Sequence, residues 1–278
     1  VGLGIRYAYA AHNFVITNDG VEYLQAARRI REEGPSALKS LVRQPLYPAV
    51  LWAAGNIADR VDGGFDWRPG QMAELARLTG IALYVPFLAA SWAFFRAMCG
   101  ARLAPWALAV LIVHPLFGFY FANALSETLY LTFVALGLAF FVSARGAVAR
   151  GAGRAFVLGL GAGLAVAAAF ATRTEGQIIL IAGVTHFAWR WALSHRRGDR
   201  DGARGNAFVI AGAAAGMLVP ALLLLAHVGA SASRYSWEWL WRRVVEGVRL
   251  PGEEALGTTP ARAGENATIF GAEVSFVA

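Results

Sequence analysis

Long apolar runs separated by short polar interruptions set the pattern of this chain. Six of them follow one another at residues 75–98, 103–125, 128–143, 155–171, 177–193 and 207–228. Unbroken apolar stretches approaching roughly 20 residues read as helices that cross a bilayer. The 177–193 run contains His186 and Arg190, and it remains a span if Arg190 snorkels toward the headgroups. His114–Pro115 lies inside the second run, where the proline should kink the helix. A shorter stretch, 1–16, is interrupted by Arg6, His12 and Asn13 and reads as the outer end of a first membrane helix whose beginning is missing. The expected fold is therefore an all-α polytopic membrane protein with about seven transmembrane helices.

Between the first and second of these spans, residues 18–74 are polar and punctuated by Pro and Gly. Two helices are predicted there. The first, 19–33, places Tyr23, Ala26, Ala27 and Ile30 on one face, with Glu22, Arg29 and Glu33 elsewhere. The second, from Tyr47 or Pro48 to Ala58, is too short to span and suits an amphipathic helix lying at the interface. The chain organises as a transmembrane module over 1–230, followed by 231–278. That second part is an aromatic juxtamembrane segment (Tyr235, Trp237, Trp239, Trp241) with an outer polar tail that continues beyond this fragment.

Composition sharpens the class. Only 15% of the 278 residues are charged against 57% hydrophobic, where soluble domains carry about a quarter charged. The net charge of +7 could suit nucleic acid, but most of the excess sits in short loops between apolar runs, as membrane orientation requires. Nucleic acid is therefore not an expected partner. The lone Cys99 excludes an internal disulfide and a thiolate metal cluster.

Counting spans puts Arg96/Arg102, Arg145/Arg150/Arg154 and Arg196/Arg197/Arg200/Arg204 on one side, which the positive-inside rule makes the cytoplasm. Asp19, Glu22, Glu127, Arg173 and Glu175 then share the outer side. High Ala, Arg and Gly usage is compatible with a bacterial source, so the expected location is a bacterial inner membrane with the site facing outward. Asn18–Asp19 suits a helix N-cap as well as a site. Glu127, at the lip of an apolar helix, must stay hydrated or paired. The turn Thr172–Gly176 holds Arg173 and Glu175 close to the membrane surface, and an Arg facing outward there is not an orientation signal. Its planar fork suits phosphate or carboxylate. Arg43, in Arg43–Gln44–Pro45–Leu46–Tyr47–Pro48, adds a second outward cation.

The order of these parts resembles the GT-C superfamily of membrane glycosyltransferases, such as protein O-mannosyltransferases, GPI mannosyltransferases and lipid A aminoarabinose transferases. The pieces that carry the resemblance are NDGVEYLQAARRI, RQPLYP, LARLTG, ALSETLYL and ATRTEG, in that order over residues 1–230. It implies inverting transfer of a sugar from a polyprenyl-phosphate donor to an extracytoplasmic glycan, lipid or protein acceptor. On it, Asp19 matches the catalytic acidic position, as general base or metal ligand, and Glu127 falls where members carry a further acid. Arg173 matches a cation that binds donor phosphate, with Arg43 as a second candidate. Asn18, Glu22, Glu175 and His114 are supporting. The first motif is Asn-Asp where many members have two acids, which leaves a divalent metal ion open; no organic cofactor is implied. The alternatives are a multi-pass transporter, for which His114–Pro115 is the sole clear midplane feature, and a non-catalytic membrane scaffold.

Overall fold

The computed structural model describes residues 18–34, 36–37, 44–123, 125–228, 267–269 and 272–274, together with Gly4. The chain divides into two compact units, Val1–His227 and Val228–Ala278. The described elements up to residue 228 are all helical. They are α1 (Asn18–Glu33), α2 (Leu46–Asp62), α3 (Pro69–Val113), α4 (Pro115–Ala122), α5 (Ser126–Ala147), α6 (Ala152–Thr172), α7 (Gln177–Arg196) and α8 (Arg200–Val228). Single 3₁₀ turns follow α5 at Val148–Arg150 and α6 at Thr174–Gly176. The second unit contains two three-residue antiparallel strands, β1 (Ala267–Ile269) and β2 (Ala272–Val274), with Thr268 opposite Glu273.

Among the described residues, four helices are long and apolar enough to cross a membrane: α3, α5 with its 3₁₀ extension to Arg150, α6, and α8 over Arg200–Pro220. This is the build of an integral membrane protein. Large apolar side chains also point away from the packed interior, among them Trp106, Val110 and Val113 of α3, Ile178 and Trp189 of α7, and Leu222 of α8. Helices that are apolar all round need a hydrocarbon surround rather than water. The apolar run at 177–193 is helical as α7 but is not one of the four, since it carries His186 and Arg190.

The runs at 75–98 and 103–125 form the two arms of a hairpin. Gly100 takes φ 81° and ψ 169°, a conformation closed to residues with a Cβ, and α3 reverses there. The returning arm packs Leu111, Phe117 and Phe121 against Tyr84 and Phe87, with the Tyr84 and Phe121 rings 5.0 Å apart. That arm breaks again at His114, whose ψ of 125° is the extended backbone required before Pro115. The kink expected from the sequence is thus a full helix break.

Close approach of α6 and α8 locks the other side of the bundle. A Cβ on Gly163 would lie 2.2 Å from the Ala213 carbonyl oxygen, and one on Gly159 would lie 2.3 Å from that of Val209. Small residues four apart let two backbones touch, the usual packing device inside membranes. Phe141, Val166, Phe187 and Val209 fill the adjoining core.

Helices α1 and α2 pack together outside the four long apolar helices. The predicted face of α1 is buried: Tyr23, Ala26, Ala27 and Ile30 are each at most 8% exposed. Helix α2 runs 17 residues, longer than the sequence reading, and ends where Gly63 turns left-handed and donates to the Asp59 carbonyl at 2.9 Å. Arg31 lays its guanidinium over Trp67 at 5.0 Å and faces Asp59 at 3.7 Å, closing the far ends of the two helices.

Candidate functional site

The site assembles at the N-terminus of α5. A stitched turn leads into it: Asn123 Nδ2 donates to the Phe119 carbonyl at 2.7 Å, and Thr128 Oγ1 donates to the Tyr120 carbonyl at 2.6 Å. Leu125 is extended, so α5 starts at Ser126 and Glu127 occupies its first turn. Ser126 does not cap the helix. Its buried hydroxyl accepts a hydrogen bond from the Tyr23 phenol at 3.0 Å, which ties α1 to α5.

Arg173 arrives from the end of α6. Its backbone is extended after Thr172, and its N–H still donates to the Ala169 carbonyl at 2.8 Å. The next turn folds back so tightly that a Cβ on Gly176 would lie 2.5 Å from the Phe170 nitrogen, so only glycine closes it. That geometry fixes Arg173 over α5, where Nη1 pairs with Glu127. Nη2 and Nε donate to the two carboxylate oxygens of Glu175 at 3.2 and 3.4 Å. Burial opposes the arginine's charge, but Glu175 and Glu127 together raise its pKa, so Arg173 stays cationic. Asp19 lies one turn before Tyr23 in the first turn of α1 and is partly buried.

Two tyrosines enlarge the group beyond what the sequence suggested. Tyr47, at the start of α2, is fully buried with its ring 5.1 Å from Tyr23, edge to face. Among the described residues its hydroxyl has no hydrogen-bond partner. Burial, then the proximity of Tyr23 and Glu127, pushes its pKa up, so the phenol keeps its proton. A buried hydroxyl without a partner costs free energy and can be satisfied by a ligand oxygen. Tyr47 stands in RQPLYP, where it read only as a helix start, and Tyr23 read only as part of a buried face.

The remaining expected residues scatter. Arg43 falls outside the described residues. Asn18 opens α1, and Glu22 is exposed on it. His114 caps α4, accepting from the Leu116 N–H at 3.3 Å through Nδ1, with its ring against Phe117. Among the described residues no group of three or more His, Cys, Asp or Glu side chains is placed to hold a metal ion.

Chemically, the group offers carboxylates able to accept a proton and a fork-shaped cation able to exchange a carboxylate for a phosphate. No protein family, curated protein or solved structure matches this chain.

Proposed function

We propose that the chain is a GT-C-type membrane glycosyltransferase that moves a sugar from a polyprenyl-phosphate donor to an extracytoplasmic acceptor, with inversion. In this reading the apolar stretch at 1–16 counts with the two arms of the α3 hairpin and α5 to α8 as seven spans. Helices α1 and α2 lie at the outer interface of a bacterial inner membrane. The observation that carries the reading is the meeting of Glu127 and Arg173 at one end of the apolar helices, joined by Tyr23 to the helix that bears Asp19.

In the proposed step the acceptor hydroxyl loses its proton to Asp19 as its oxygen attacks the anomeric carbon. The bond from that carbon to the phosphate oxygen breaks on the opposite face, and the polyprenyl phosphate leaves. Arg173 exchanges one carboxylate partner for the phosphate, whose growing charge it stabilises. The unpartnered Tyr47 hydroxyl supplies a donor for a sugar or phosphate oxygen.

A specific observation favours a second reading. Arg173 is already held by two carboxylates, as a helix-end clasp in a non-catalytic scaffold would be. Incubating membranes that contain the protein with radiolabelled polyprenyl-phosphate sugars separates the two. Transfer predicts that label leaves the lipid, and that Asp19→Asn slows this about 10²–10⁴-fold with insertion unchanged. Label that stays on every donor, or wild-type turnover by Asp19→Asn, would refute the assignment.

A further inference from the structure

The opposite end of α5 has the reverse electrostatics. Arg145 lies 18 residues beyond Glu127, about 27 Å along the helix. There a cavity of about 730 Å³ opens between the end of α5, the start of α6, α7 and the Gly100 end of α3. Four arginines line it (Arg145, Arg150, Arg154 and Arg190), with Ser143 and no carboxylate. A second cavity of about 600 Å³ shares Arg145 and Arg190 and adds Arg204. Asp199 and Asp201 line that second one, but the Asp199 carboxylate is engaged in accepting the Gly202 N–H at 2.9 Å.

Orientation by the positive-inside rule accounts for arginines in the loops at this end. It does not account for Arg190. That residue lies within α7, six residues before its last, and a snorkelling side chain would reach outward to headgroups or water. It lines both cavities, and among the described residues its Nε is buried without a hydrogen-bond partner. Among the described residues Arg145, Arg154, Arg190 and Arg204 form no ion pair with a carboxylate. Guanidinium groups that line one cavity repel, and a buried unpaired donor is costly, so an anion among them relieves both penalties.

We propose that the cavity lined by these four arginines is a binding site for a phosphate group. The volumes fall within the roughly 300–1,000 Å³ of ordinary small-ligand pockets. Arginine forks match phosphate oxygens in pairs. The apolar wall of Met98, Val142 and Leu158 beside them suits a ligand with a hydrocarbon part. A phospholipid headgroup from the surrounding bilayer and a soluble phosphate compound share the recognised chemistry. The site is independent of sugar transfer at the other end.

The test uses the full chain in neutral detergent. Retention of labelled phosphatidylglycerol and of phosphatidylcholine is measured through gel filtration. Protection against heat by pyrophosphate is measured beside sodium chloride at equal ionic strength. Working in about 1 M salt, where the screening length is about 3 Å, removes surface attraction but not a desolvated contact. Selective retention of phosphatidylglycerol identifies a lipid source; protection by pyrophosphate without lipid selectivity identifies a soluble one. In either case Arg190→Gln should weaken binding about ten-fold or more, the worth of a charged hydrogen bond. Arg154→Gln, at an exposed position, gives a second reading should Arg190→Gln fail to fold. Arg197→Gln removes one charge from the same end without touching either cavity and should change nothing. Equal retention of both lipids with no pyrophosphate effect, or an equal loss in Arg197→Gln, would overturn the proposal.

Discussion

At one end of α5, a single guanidinium sits between two carboxylates, Glu127 and Glu175. At the other, Arg145 shares a cavity with three more arginines and no carboxylate lines it. The first end satisfies its own charge. A ligand arriving there must displace a carboxylate, so binding is a matter of exchange, and the geometry of the freed guanidinium fork selects the ligand. At the second end, the arginines of that cavity form no ion pair among the described residues. A ligand adds there without displacing a carboxylate, so charge draws anions, and selection falls to the apolar wall. Arginine beside a membrane therefore carries no single meaning; its partners decide it.

The sharpest way to break this contrast is to place both ends on one side of the bilayer. In a Cys99→Ser background, cysteine at exposed Arg68, beside the start of α3, should label from outside with an impermeant reagent in intact cells. Cysteine at exposed Arg197, after the end of α7, should label only after permeabilisation. This outcome is all-or-none, and equal labelling of the two would end the comparison.

The contrast also depends on α6, which carries Arg154 at one end and leads into Arg173 at the other. Gly163→Val drives a side chain into the Ala213 carbonyl and should destabilise the protein by about 1–3 kcal/mol in detergent unfolding. Gly153→Ala, where nothing lies within 4 Å, serves as the control and should be neutral or slightly stabilising. An unperturbed Gly163→Val would mean that the α6–α8 contact does not hold the two ends in register.

The smallest effect is the coupling of Glu127 and Arg173 itself. Both side chains are partly exposed, at 25% and 34%, so solvent screening limits the pair to about 0.5–1 kcal/mol in a double-mutant cycle with alanine. A coupling in that range with donor affinity unchanged in Arg173→Ala fits a clasp. Loss of donor affinity in a folded Arg173→Ala protein fits the transfer site.

Several of these features were legible in the sequence because they are one-dimensional. The buried face of α1 follows from apolar residues three and four apart, and Tyr23, Ala26, Ala27 and Ile30 are all buried. Counting apolar runs put Glu127 and Arg173 at the same end of the helices, and their side chains meet. The proline rule foresaw a disturbance at His114–Pro115, though not that the helix stops there. Other features left little trace. Tyr23 reaches Ser126 across 103 positions of sequence, and Tyr47 is buried beside it although it read as an interfacial helix start. Arg190 read as a side chain reaching toward the loop end of its helix, and the sequence held no sign that it lines basic cavities there.

Hydrophobic runs, their breaks and the placement of charge determined from the sequence alone that this chain is helical and suited to a membrane, because each depends only on residues near one another along the chain. Which charge meets which was decided by tertiary structure. Helix register set by backbone contact at Gly159 and Gly163, and the reversals at Gly100 and Gly176, bring Arg173 to two carboxylates and Arg190 to other arginines. Charge pairing falls off over a few ångströms, and a few ångströms across helices is a quantity that spacing along the chain does not contain.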